Sequence, residues 1–341
     1  MWLLSTDRAE LKLFASPDQV PGGYAVLSHV WDESDAFTFQ HVQTLKDQSA
    51  ILGASNPRDI MTPRVRDCCI LAESHGHKWL WTDMCCINRE SSAELSEAIN
   101  SMSLYYSLSS ICYAHLQDVP GGYFSEVYLQ MPNSPFRSSI WHQRLWTLQA
   151  LVVPHLVLFL SQDWKAIGTK AELSALLSDI SGVPADVLRM EKDLNTVSLA
   201  RRMSWAARRT STRTEDEAYA LMGIFGVNMP VCYGEGREAF HRLQEEIMRR
   251  SVDTSLFAWG SGASDPAVDI HSPPTLPSAS CSLHDDDSCY LLASSPSQFA
   301  NCRDIDCKSP WVRPSPVSSP VVERYVCSHE SIGIPRKYDA Y

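Results

Sequence analysis

The sequence predicts an α/β protein: a parallel sheet flanked by helices, followed by a mostly helical region and a disordered tail. Three observations lead there. Short apolar runs alternate with amphipathic stretches of helical period over residues 1–165, the arrangement that builds a parallel sheet covered on both faces. Residues 166–260 turn to helical spacing, which predicts a helical region packed on the sheet domain. Residues 261–341 are rich in Ser and Pro, as in Ser294-Ser295-Pro296-Ser297 and Pro314-Ser315-Pro316. They carry too little apolar surface to offset the entropy of ordering, so a largely disordered tail is expected.

The first strand is expected at residues 24–29, after the turn Pro21-Gly22-Gly23. Thr62-Pro63 then opens a helix, since Pro suits the first helical position. Val65, Cys68, Cys69 and Ala72 share one face of it, and it stops near Gly76. Residues 79–83 form the second strand. Ser91-Ser92-Ala93-Glu94 has the spacing of a capping box, and Leu95, Ala98, Ile99, Met102 and Tyr106 follow at helical intervals. Residues 111–116 and 156–160 supply the third and fourth strands, with a helix over 144–151 between them. Beyond these, Thr169–Glu172 and Thr214–Glu217 repeat the capping-box spacing. A last helix runs from Arg237 to Arg250, with Phe240, Leu243 and Ile247 inward and two arginines at its carboxyl end.

Composition narrows the function. At 341 residues, with 44% hydrophobic and 20% charged, the chain has room for a sizeable core. A net charge of −11 argues against a general nucleic-acid binder, which needs clustered cations to neutralise phosphates. Arg201-Arg202 and Arg208-Arg209 read as solvated helix faces. The start, Met1-Trp2-Leu3-Leu4, reaches Asp7 and Arg8 too soon for a signal peptide. The longest apolar run, 151–160, is interrupted by Pro154 and His155 and falls short of the ~20 residues of a membrane helix. A cytoplasmic protein is expected, its eleven cysteines free thiols. Cys68, Cys69 and Cys112 read as small core residues. Cys85-Cys86 with His75 and His77 makes a poor metal set, because adjacent cysteines rarely reach one tetrahedral ion. No metal is expected.

In open α/β sheets ligands bind past the carboxyl ends of the strands. Here those ends carry Ser28, His29 and Trp31 after the first strand, and Asp83, Cys85 and Cys86 after the second. Ser28 and Asp83 also fit turn caps, and Trp31 a core residue. One chemistry to weigh is a cysteine hydrolase with Cys86 as nucleophile and His29 as base, against a plain buried thiol.

Several phrases in order resemble the fungal heterokaryon-incompatibility (HET) domain. Tyr24-Ala25-Val26-Leu27-Ser28-His29-Val30-Trp31 resembles its opening Y-A-I-L-S-H-T-W. Trp79-Leu80-Trp81-Thr82-Asp83-Met84-Cys85-Cys86-Ile87-Asn88 is similar to Y-I-W-I-D-T-C-C-I-D, and Ser91 to Met102 to the helix that follows. Arg144-Leu145-Trp146-Thr147-Leu148-Gln149 resembles R-G-W-T-L-Q. Arg202 to Ala207, Glu215-Asp216, Ala218-Tyr219 and Tyr233-Gly234-Glu235-Gly236 resemble the helical region often fused behind these domains.

The resemblance implies self/non-self recognition between fungal cells, ending in growth arrest or programmed cell death, with protein partners and self-association. It also implies a TIR/flavodoxin-like sheet, since HET domains look like distant relatives of TIR domains. Some TIR domains hydrolyse NAD, which makes NAD the ligand or substrate to consider, and Trp146 a further cleft candidate. TIR catalysis uses a Glu four residues beyond a Trp, to stabilise an oxocarbenium-like transition state. This chain has Ala150 there, and Leu145 replaces the usual Gly. Gln149 lies about 100° around a helix from that position, and Glu94 and Glu126 are the other carboxylates to weigh. A signalling module with weak or no catalysis is therefore expected, the alternative being a NAD glycohydrolase that uses a different carboxylate.

Overall fold

The computed structural model describes residues 1–31, 37–53, 56–122, 124–260 and 291–306. The first half comprises β1 (Trp2–Ser5), β2 (Leu11–Leu13), β3 (Ala25–Ser28), α1 (Phe39–Ile51), α2 (Pro63–Ser74), β4 (Trp79–Trp81), α3 (Ser92–Ser107) and β5 (Ile111–His115). Four short helices follow: α4 (Glu126–Gln130), α5 (Pro135–Ser138), α6 (Ile140–Gln143) and α7 (Thr147–Val152). Then come β6 (Val157–Leu160) and β7 (Ala166–Thr169). The helical half holds α8 (Ser174–Ser181), α9 (Ala185–Leu188), α10 (Leu199–Ser204), α11 (Asp216–Tyr219), α12 (Met222–Phe225) and α13 (Glu238–Arg250).

The sheet is mixed, not parallel throughout. Its order is β2-β1-β4-β3-β5-β6-β7, and only the four central strands run parallel. β1 pairs antiparallel with both β2 and β4, and β7 folds back antiparallel on β6. Every residue of β3 and β5 is buried, as expected of parallel strands covered on both faces. The edge strands β2 and β7 are three or four residues long and mostly half buried or exposed, so they lack the apolar run that marks the central ones.

The expected helices form for the expected reasons. In α2, Val65, Cys68, Cys69 and Ala72 are fully buried, and the helix ends before Gly76 at φ +84°, a conformation that suits a residue without a Cβ. In α3 the Ser91 hydroxyl accepts from the Glu94 amide, but the Glu94 carboxylate turns instead to Trp2 Nε1 and Asn88. At Thr169 the reciprocal box is complete, with Glu172 accepting from both the Thr169 amide and hydroxyl. At Thr214 it is not: the Glu217 amide bonds the Thr214 carbonyl. α1, absent from the expectation, buries Phe39, Val42, Leu45 and Ser49 among its described side chains.

Residues 291–306, placed by their Ser/Pro texture in a disordered tail, are packed in the core. Ala293, Phe299 and Cys302 are buried, and a 3-10 turn at Pro296–Phe299 lies against α10. Gln244 of α13, wholly buried, donates to the Ala293 carbonyl and accepts from its amide. The remainder of the expected tail lies outside the described residues. Among the described residues no helix is long and apolar enough to cross a membrane.

Candidate functional site

The strand order reverses between β3 and β5, and the crevice there is where doubly wound sheets receive ligands. Past the end of β3, His29 is buried and Trp31 remains 39% exposed. The Trp31 indole donates to Asp83 Oδ2 at 2.6 Å, and the other Asp83 oxygen lies 3.9 Å from His29 Nδ1. The His29 and Trp31 rings stack at 6.3 Å. On the outer face of Trp31 the Arg89 guanidinium sits 4.0 Å from the ring centroid, a cation–π contact. Arg64 crosses the reversal point, donating to Val30 O and to Gln117 Oε1.

Burial pushes the His29 imidazole down to about 4; Asp83 opposes this, while Arg64, His115 and Arg89 add to it. The ring is therefore neutral at neutral pH, and neither nitrogen makes a hydrogen bond of ordinary geometry. At the end of β5, His115 is held similarly low, at about 4, by burial. It stacks on Trp164 at 4.2 Å.

Of the sequence-named residues, His29, Trp31 and Asp83 thus meet. Ser28 lies beneath them, buried, its hydroxyl accepting from Trp141 Nε1 at 3.2 Å. Cys86 turns elsewhere. Its thiol points at the Leu80 carbonyl, and it lines a different cavity with Trp2, Asn88 and Glu94. Among the described residues no hydrogen bond joins it to His29, as a thiol–imidazole dyad requires. Neighbouring Cys85 is buried, and its thiol is pushed well up by desolvation. His75 bonds the Tyr113 hydroxyl, and among the described residues no group of three His, Cys, Asp or Glu is placed to hold a metal.

Trp146 caps the amino end of α7 and meets a carboxylate from the helical half. Its side chain lies close enough to Asp216 to lower that carboxyl's pKa, and Asp216 accepts from the Tyr233 hydroxyl at 3.0 Å. Burial raises the Asp216 pKa against those two contacts. Arg213 stacks over Tyr233 at 4.6 Å, and Arg89 is close enough to act on the same phenol. The neighbouring Glu215 accepts from the Gly234 and Gly236 amides, and Tyr219 donates to Glu235. Ala150, where a catalytic Glu is expected from the TIR comparison, is fully buried in α7, all six of whose residues are buried. Glu126 heads α4 and bonds Gln130, whereas Glu94 is held by Trp2 and Asn88.

Asp216, Arg89 and Tyr233 are the residues that sequence spacing does not single out. Glu215-Asp216 shows as part of a helix start and of a family phrase but with no role attached, because the partners that give Asp216 its setting are distant in sequence.

Two family models match the chain: Heterokaryon incompatibility protein (HET) over residues 24–124, and a Domain of unknown function (DUF8212) over residues 238–329. Vegetative incompatibility protein HET-E-1 of Podospora anserina is 35% identical over 293 residues, covering 83% of this chain and 20% of that protein. The chain thus spans about a fifth of the length of that relative. No solved structure matches it. This is a HET-domain protein homologous to a vegetative incompatibility protein, a kinship consistent with self/non-self recognition signalling.

Proposed function

We propose that the chain is a cytoplasmic recognition and signalling module of vegetative incompatibility, which triggers growth arrest or cell death with little or no catalysis of its own. The observation that carries this reading is the setting of Ala150. The position has no carboxylate, and its neighbours in α7 are all buried. The crevice around His29, Trp31 and Asp83 then serves recognition: an exposed indole under a guanidinium offers a stacking surface beside a carboxylate. The order β4-β3-β5-β6 is that of the first four strands of a flavodoxin-like sheet, which supports the TIR kinship. Partners are proteins, including further copies of the chain, met through helix faces such as that bearing the exposed Leu104 of α3 and Leu108 at its carboxyl cap.

Incubation of the purified chain with NAD tests the catalytic half of this reading. The expected result is no nicotinamide above the buffer rate, and robust release overturns it. One observation favours the second reading, a NAD glycohydrolase. Asp216 brings a carboxylate to Trp146, the motif whose own acid is missing. In that case Asp216→Asn abolishes the release. Expression in fungal cells tests the signalling half, with growth arrest in one of two otherwise compatible strains as the expected result.

A further inference from the structure

A cavity of about 170 Å³ opens on the side of the molecule where α6, α8, α10 and the 291–306 segment meet. Arg137, His142, Trp205, Arg208, Arg209 and Arg303 are among its lining residues. Four of the eleven lining residues are arginines, in a chain whose net charge is −11. Of these, only Arg137 has a carboxylate partner among the described residues, Asp179 at 2.5 Å. Arg209 spends one amino group on the Arg144 carbonyl and the Thr147 hydroxyl, and leaves Nη2 buried with no partner among the described residues. Arg208 and Arg303 make no ion pair or hydrogen bond among the described residues.

The floor repeats the pattern. Trp205 is 2% exposed and its indole N–H has no acceptor among the described residues. His142 is buried, and neither of its ring nitrogens makes a hydrogen bond of ordinary geometry. Buried donors are nearly always satisfied, so this many orphans around one cavity mark a place for an acceptor. An arginine does not relieve its burial by losing a proton. What balances Arg209 must then be negative, and the other donors require oxygens.

We propose that this cavity is a binding site for a compact phosphate-bearing anion, inorganic phosphate or pyrophosphate in its simplest form. Planar guanidinium groups suit phosphate oxygens, which accept two donors at a time. The volume is below the roughly 300–1,000 Å³ of sites that take whole drug-sized molecules, so one or two phosphates fill it and a nucleotide does not. Because the wall draws on four parts of the chain, occupancy also ties the 291–306 segment to the body through Arg303.

Thermal unfolding of the full chain, titrated with pyrophosphate at an ionic strength held constant with chloride, tests the site. The expected result is a saturable rise in Tm. Arg303→Ala and Arg208→Ala, whose side chains hold no other partner, are each expected to keep the fold and weaken half-saturation about tenfold or more. Phosphate at high concentration stabilises many proteins by exclusion from their surfaces. A rise that fails to saturate, or one that both variants keep unchanged, overturns the proposal. Isothermal titration of the same three proteins gives a second readout, and absence of binding heat for wild type overturns it equally.

Discussion

The two halves of the molecule are held together by different means. In the sheet half the buried polar groups, hydroxyls and the imidazoles of His29, His115 and His142 among them, carry no formal charge at neutral pH and sit in an apolar core: β3 and β5 are buried along their whole length. In the helical half, ionic side chains join the buried hydrophobics. Glu215, Asp216, Arg202 and Gln244 are all buried, each hydrogen-bonded to backbone or to another side chain. The first kind of core tolerates changes of shape and rejects charge. The second rejects the loss of any single partner, because the group left behind is stranded without water.

Acid is expected to separate the halves most strongly. His29, His115 and His142 all lie in the sheet half, with pKa values held at about 4, 4 and 3. For His142 burial is again the main cause, and Arg209 adds to it. Their ordinary value is 6.5, so below it the unfolded chain takes up protons that the folded chain refuses. The stability these rings contribute is present above pH 6.5 and lost as pH falls toward 4. His29 alone accounts for about 3 kcal/mol. Urea titrations at several pH values read this, and a flat profile from 6.5 to 4 breaks the comparison.

A charge placed in the apolar core comes next. Ala150→Glu is expected to cost about 3–5 kcal/mol, from overpacking and an unpaired buried acid together. A variant as stable as wild type would show that α7 opens to solvent at this position. On the helical side, Gln244→Ala strands both backbone groups of Ala293 and is expected to cost about 2–3 kcal/mol. Hydrogen exchange should then quicken over residues 291–306 before it quickens in the sheet.

The smallest effect is at the crevice. Asp83→Asn keeps an acceptor for the Trp31 indole and is expected to cost less than about 1 kcal/mol. It removes the carboxylate that raises the His29 pKa, so NMR titration should place that imidazole still lower.

This division also governs what the sequence made legible. α2 and α13 show plainly, because an apolar stripe repeats at helical spacing and a Pro, a Gly or paired arginines mark the ends. The four central strands show as unbroken apolar runs. β2 and β7 do not, since three or four residues, mostly half buried or exposed, leave no period to detect. His29, Trp31 and Asp83 were within reach through the rule of strand ends. The polar network of the helical half was not. Its pairs, such as Trp146 with Asp216 and Gln244 with Ala293, join segments distant in sequence, and hydrogen-bond partners leave no local signature.

The docking of residues 291–306 bears on how the chain is made. α10 and α13 are synthesised early, but the residues that cover them, from Ala293 to Cys302, leave the ribosome later. At about 5–20 residues per second, roughly 3–10 s pass between the end of α13 at Arg250 and the arrival of Cys302. During that interval the amide of Gln244 has no Ala293 to hold, and the apolar side of α10 lacks the turn that shields it. A nascent-chain chaperone therefore has a fixed window at this surface, opened by one stretch of sequence and closed by another.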